Sequence, residues 1–169
     1  VEKAQAVSII NSLDEKNNVG VIAFNTVPYK VSDIKTLKEN KKELIDKVSR
    51  LTFDGQSFFN LGIDAANKML RNTAGGKNII LITDGKTTYS KLMVDTKESS
   101  REAAARGVKV YVAGVGVNRN DEFLTDVANL GEGIYFPVDA SSRLKILFGE
   151  PESKEEKEFL NKLVLLDTT

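Results

Sequence analysis

Short apolar runs bounded by turn residues alternate along this chain with stretches whose apolar residues recur at helical spacing. The most apolar run is Asn78-Ile79-Ile80-Leu81-Ile82-Thr83-Asp84-Gly85, set off by Gly75-Gly76 before it and Asp84-Gly85 at its end. Branched residues in unbroken succession predict a strand buried on both faces, as in parallel sheets covered by helices. In such sheets ligands sit outside the carboxyl ends of the strands, which is where Asp84 stands. The plain alternative is an Asp-Gly turn that lets the chain leave the sheet.

The same two periods assign the rest. Ala6, Ile9, Ile10 and Leu13 share a helical face, and Asp14 to Asn18 is a polar exit. Val19 to Phe24 is a buried strand, and Val27 to Val31, with Pro28, suits only a sheet edge. Glu39 to Leu51 reads as a helix with Leu44, Ile45, Val48 and Leu51 inward. Thr52 to Asn60 reads as a loop whose final Asn caps a helix burying Leu61, Ala65, Met69 and Leu70. After the central strand come a polar loop and a helix from about Asp95 to Arg106, stopped by Gly107. Val108 to Gly114 is a strand, and Phe123, Leu124, Val127 and Leu130 mark a short helix. Ile134-Tyr135-Phe136 is a last short strand before a helix from Ser141 to Phe148. A charged helix, Ser153 to about Leu160, precedes the apolar run Leu163-Val164-Leu165-Leu166.

Strands spaced by helices predict an α/β fold: a doubly wound, mostly parallel sheet with helices on both faces, Rossmann-like in its layering. The pattern divides into one domain over residues 1–150 and an extension over 151–169, helix then strand-like run.

Composition narrows the function. The chain has 169 residues, 41% of them hydrophobic, enough for one domain with a substantial core. Lys plus Arg equals Asp plus Glu at 24 each, so no overall field draws nucleic acid or an anionic membrane. No apolar run is long enough to span a bilayer. Without Cys there is no disulfide, zinc thiolate or thiol nucleophile, and without His the commonest general base is missing. Gly114-Val115-Gly116 lacks the third glycine of a dinucleotide fingerprint, and Gly75-Gly76-Lys77 lacks the spacing of a phosphate loop. Glu155-Glu156 belongs to a charge run that reads as a solvated helix face. No self-sufficient catalytic set is present.

The order of elements and three local patterns resemble the von Willebrand factor type A (VWA) domain family. Val19 to Phe24 is similar to that family's second strand, and Asn78 to Gly85 to its fourth, with the terminal Thr-Asp-Gly. Val110 to Gly116, Leu124 to Leu130 and Gly133-Ile134-Tyr135-Phe136 follow its closing order; the resemblance runs from about Val1 to Phe148. It implies a metal-ion-dependent adhesion site (MIDAS) on the sheet's upper rim. There a divalent ion, usually magnesium, is held by hydroxyls and carboxylates of three loops and leaves one position for a partner's carboxylate. Carried over, the third loop's Asp is Asp84 and the second loop's hydroxyl is Ser57, although Phe58-Phe59 departs from the family's Gly-Gly-Thr-Asn.

The family's first strand and its Asp-x-Ser-x-Ser loop have no counterpart ahead of Val1 to Leu13, which resembles the helix that follows them. Ser57 and Asp84 alone hold magnesium poorly, so the expectation is weak or absent metal binding in this chain. In the family the first strand lies between the second and fourth, and its loss would strand rows of backbone groups inside the core. The C-terminal run is the candidate to fill that place, with Asp167-Thr168-Thr169 resembling the opening of Asp-x-Ser. It could instead begin a following domain, pack outside, or pair with another copy.

The resulting expectation is a non-enzymatic adhesion module that grips an acidic group on a partner protein, with metal as the bridge. The alternatives are a magnesium-dependent phosphotransfer enzyme using Asp84, and a purely structural scaffold. Dehalogenase-type phosphotransferases want a second Asp two residues after the first, where this chain has Lys86.

Overall fold

The computed structural model describes residues 2–52, 55–137 and 161–167, the last stretch by its backbone. Five helices, α1 (Glu2–Ser12), α2 (Leu37–Ser49), α3 (Phe59–Leu70), α4 (Ser90–Ala105) and α5 (Asp121–Leu130), accompany six strands. The strands are β1 (Asn18–Phe24), β2 (Pro28–Thr36), β3 (Lys77–Thr83), β4 (Val108–Gly114), β5 (Glu132–Pro137) and β6 (Asn161–Asp167). They form one sheet in the order β2-β1-β6-β3-β4-β5. Among the described strands only the β1–β2 pair is antiparallel.

Two apolar layers explain why these runs become strands. On one face α1 and α2 set Ile9, Ile10, Leu37 and Leu44 against Val19, Val21, Ile80 and Ile82. On the other, α3, α4 and α5 set Phe59, Ile63, Leu92 and Leu124 against Ile22, Phe24, Ile79 and Leu81. Successive residues of β3 therefore enter opposite cores, so its unbroken apolar run is what a two-sided strand requires. The expected α/β fold, doubly wound and mostly parallel, is the observed one.

The last run of the chain fills the middle of the sheet. Val164 pairs in parallel with Val21 on one side and with Ile80 on the other, and Leu165 lies opposite Ile22. Of the placements open to Leu163–Leu166, insertion beside Ile22 and Ile80 is the one found. The physical reason is backbone accounting: β1 and β3 are buried on both faces, and each unpaired buried N–H or C=O costs about 1–3 kcal/mol.

Several boundaries differ from expectation. The edge strand runs on to Thr36, because Ser32, Lys35 and Thr36 pair with Val21, Val19 and Asn18. Helix α2 consequently begins at Leu37, whose side chain is buried and whose N–H donates to the Asn17 carbonyl at 2.7 Å. Helix α3 starts one residue before Asn60, so Asn60 does not cap it. Its buried face is Phe59, Gly62, Ile63, Ala66 and Leu70, while Leu61, Ala65 and Met69 are only partly covered. Helix α4 begins at Ser90 rather than near Asp95. The helices expected over 141–148 and 153–160 lie outside the described residues.

Because Val164 lies between two hydrogen-bonded strands, Val164→Pro removes an amide hydrogen in the middle of the sheet. Equilibrium urea unfolding should show a loss of about 3 kcal/mol or more. An unchanged midpoint would mean that residues 161–167 are not the central strand.

Candidate functional site

Parallel strands bring their carboxyl ends to one rim. The end of β3 carries Asp84, whose position is fixed by backbone bonds. The Asp84 carbonyl accepts from the Asn120 N–H at 3.0 Å, and the Thr83 carbonyl accepts from Val115 N–H at 3.0 Å. Gly85 then turns the chain at φ +68°, and a Cβ there would lie 2.7 Å from the Leu124 side chain. Only glycine meets both demands, the left-handed backbone and the close approach of α5.

Both oxygens of the Asp84 carboxylate face Lys86. Oδ1 accepts the Lys86 backbone N–H at 2.9 Å, and Oδ2 lies 3.5 Å from the Lys86 Nζ. The Asp84 side chain is 24% exposed and that of Lys86 54%, so the pair sits at the mouth of the rim, open to solvent.

Beside it lies a cleft of about 690 Å³ whose walls come from the loops ahead of α3, after β3 and ahead of α5. Ser57 and Phe58 form one wall, Asp84 and Lys86 to Tyr89 the second, and Asn120 closes the third side. The Phe58 N–H donates to the Asn25 carbonyl at 2.8 Å, tying the first wall to the end of β1. Gln56 Nε2 donates to the Tyr89 hydroxyl at 3.3 Å across the opening. The two residues singled out from sequence, Ser57 and Asp84, thus line one cleft, with Ser57 buried in its wall. Phe59, an apparent interruption of the loop, is a core residue with its ring 6.2 Å from Phe24 and 5.9 Å from Phe123.

Strand β6 brings a further acidic residue to this rim. The Asp167 backbone pairs with Phe24, one position beyond the Leu166–Ile82 pair and so next to the end of β3. The expected Asp167–Thr169 group extends outside the described residues at Thr168 and Thr169.

A polar cluster braces the loop between β4 and α5. Arg119 Nε donates to Asp121 Oδ1 at 2.7 Å and to the Tyr135 hydroxyl at 2.9 Å, and its Nη1 reaches the Gly116 carbonyl at 3.1 Å. The Tyr135 hydroxyl in turn donates to Asp121. Burial, then that bond to Asp121, pushes the Tyr135 phenol up to about 12. The Tyr135 hydroxyl, followed by Arg119, holds the Asp121 carboxyl below its ordinary value. Asn120, between the two braced residues, accepts the Phe123 N–H on its Oδ1 at 3.2 Å and caps α5.

Sequence reasoning used Lys86 only as evidence against phosphotransfer and missed Gln56, Tyr89, Asn120 and the Arg119–Asp121–Tyr135 cluster. A capping signal was present at Asn120, followed by Asp121 and Glu122 ahead of an apolar face. Arg119 carries no local signal, since its partners come from α5 and β5. Among the described residues no three acidic side chains gather to hold a metal ion. Among the described side chains, one carboxylate that already faces an ammonium does not fit a magnesium ion that wants several oxygen ligands.

Comparison with known proteins agrees with the fold. The family described as the von Willebrand factor type A domain matches residues 2–150. Among solved structures, the chain is similar to an aerotolerance-related membrane protein from Bacteroides fragilis NCTC 9343 at TM-score 0.71 and 20% identity, covering 87% of this chain and 85% of that one. It is similar to the conserved hypothetical protein BatB from Bacteroides thetaiotaomicron at TM-score 0.69 and 23% identity, with 85% and 83% covered. A third likeness, at TM-score 0.67 and 19% identity over 84% and 62%, is to a manganese-loaded Plasmodium vivax TRAP protein. No curated protein sequence matches the chain.

Two outcomes follow from the rim geometry. Gly85→Ala forces a left-handed alanine against Leu124 and should cost about 2–4 kcal/mol in urea unfolding; a stability within experimental error of the parent would contradict the close approach. The folded Asp121 carboxyl is depressed, so its contribution to stability is present above the ordinary Asp range and fades as pH falls through the folded value. In Tyr135→Phe the Asp121 carboxyl carbon should titrate at higher pH by NMR. An unmoved midpoint would remove Tyr135 as the main cause.

Proposed function

The chain belongs to the von Willebrand factor type A domain family, and from that premise we propose that it is a docking module whose rim around Asp84 and Ser57 takes an acidic group of a partner protein. Members of this family generally mediate protein interactions and are generally not enzymes. The observation that carries the reading is the cleft itself: it opens at the carboxyl ends of buried parallel strands, and polar side-chain donors surround a charged pair at its mouth. Hydroxyls at Thr87, Thr88 and Tyr89 and the amide of Gln56 are suited to a carboxylate's lone pairs. Adhesion of this kind needs no reaction at Asp84.

Magnesium is the ion the family resemblance implies, with Ser57 and Asp84 as its candidate ligands. The described donors do not fit it, and the docking reading therefore routes nothing through a bound ion.

A random peptide display library selected on the folded domain tests the reading. Selected sequences should be enriched in Asp and Glu, and should shift the amide resonances of residues 55–58, 84–89 and 120. Peptides without acidic bias, or shifts that map elsewhere on the surface, would sink it.

A further inference from the structure

We propose that the Lys86 ammonium is the cation of this rim: it occupies the place beside Asp84 that a divalent ion would need, and it is the charge that receives the partner's acidic group. The inference rests on the rim being the docking site and names the chemistry of recognition there.

Three observations carry it. Lys86 engages both oxygens of the one described carboxylate on the rim, through its N–H at 2.9 Å and its Nζ at 3.5 Å. An ion binding to Asp84 must therefore either displace the ammonium or accept its repulsion at close range. Second, among the described residues that line the cleft, Asp84 and Lys86 are the charged ones, so no other side chain there offers a positive charge to an anion. Third, more than half of the Lys86 side chain is exposed while Asp84 is mostly covered. The carboxylate lies behind and the ammonium in front, the order required for Lys86 to meet an incoming carboxylate while Asp84 orients it. The Asp84 main chain is itself anchored through Asn120, so the orienting group is fixed.

The hydroxyls that follow Lys86 complement its charge. Thr87, Thr88 and Tyr89 follow Lys86 directly and line the same cleft, with the Tyr89 N–H bonded to Thr87 Oγ1 at 3.1 Å. They present hydroxyl donors next to the ammonium, and a carboxylate bound by both is held by charge and by direction.

Manganese alone, followed by its effect on water-proton relaxation, tests the first half on the full chain. The wild type should bind weakly. Lys86→Met should gain about fivefold in Mn2+ affinity, the size set by removing one exposed ion pair. Lys86→Arg keeps a cation and should behave as wild type, and adding Asp84→Asn to Lys86→Met should abolish the gain. The second half is read with an Asp- or Glu-bearing peptide selected on the domain: its binding to wild type should persist in chelator and fall at least fivefold in Lys86→Met. Equal Mn2+ affinity in wild type and Lys86→Met, or peptide binding that requires added divalent ion, would overturn the proposal. Peptides whose shifts lie away from the rim in every variant would refute the docking reading instead, while the Mn2+ gain would still establish Lys86 as the counter-ion.

Discussion

The constraint on which the rest depends is that a sheet buried on both faces cannot carry a gap. Among the described strands, β1 with β2 forms one hydrogen-bonded unit and β3 with β4 and β5 another, and β6 alone joins them. All seven residues of β6 pair with β1, and all but the last pair with β3. Water cannot replace those partners, because α1 and α2 close one face and α3 to α5 the other. The two apolar cores are thus both conditional on one short strand. The sequence separation between β6 and its neighbours makes this an expensive contact to form, and topology of this kind slows folding.

The rim at the carboxyl ends of the strands is held by the same closure. Once β6 fixes β1 and β3 relative to each other, the loops leaving their carboxyl ends have defined starting points. Three backbone bonds then set the loops against one another: Phe58 to Asn25, Val115 to Thr83 and Asn120 to Asp84. The side chains above this frame, Gln56, Lys86, Thr88 and Tyr89, are exposed and contribute little to the core. A rigid frame carrying exposed polar groups is a general solution for recognition, because the frame lowers the ordering cost that binding must overcome.

Legibility followed the physics of each element. Strands buried on both faces announce themselves as apolar runs, and β1, β3 and β4 were readable to within a residue or two. On helix α3 Leu70 is buried as expected, but the centre of the buried face lies at Phe59, Ile63 and Ala66, beside the expected Leu61, Ala65 and Met69, because apolar periodicity ignores glycine. Gly62 lies on the buried side, where a Cβ would come within 2.7 Å of the Phe24 ring. The start of α4 was hidden because its first residues, Ser90 and Lys91, are exposed and give no apolar signal. The place of β6 could be argued only from what β1 and β3 would lack. At the site, Asp84 was visible from its position at the end of a buried strand, and Ser57 from a family pattern. The residues around them were not, since the loops that bring Gln56 to Tyr89 and Arg119 to Tyr135 meet only in the folded chain.

The ion pair at the mouth of the cleft also has the right strength for its place. An exposed pair of this kind is worth about 0–1 kcal/mol, far less than the closure of the sheet. It biases the Lys86 side chain toward one position without locking it, which is what the proposed exchange with a partner's carboxylate needs. The Arg119–Asp121–Tyr135 cluster is built differently, with Arg119 bonded to a carboxylate, a phenol and a backbone carbonyl at once. Several bonds converging on one guanidinium make a brace, whereas one long contact between Lys86 and Asp84 makes a contact that can be exchanged. The two clusters stand on either side of Asn120, which is held by its backbone to Asp84 and by its side chain to α5. The converging bonds at Arg119 therefore tie the loop between β4 and α5 to β5, while the single long Lys86–Asp84 contact leaves its two side chains free to rearrange.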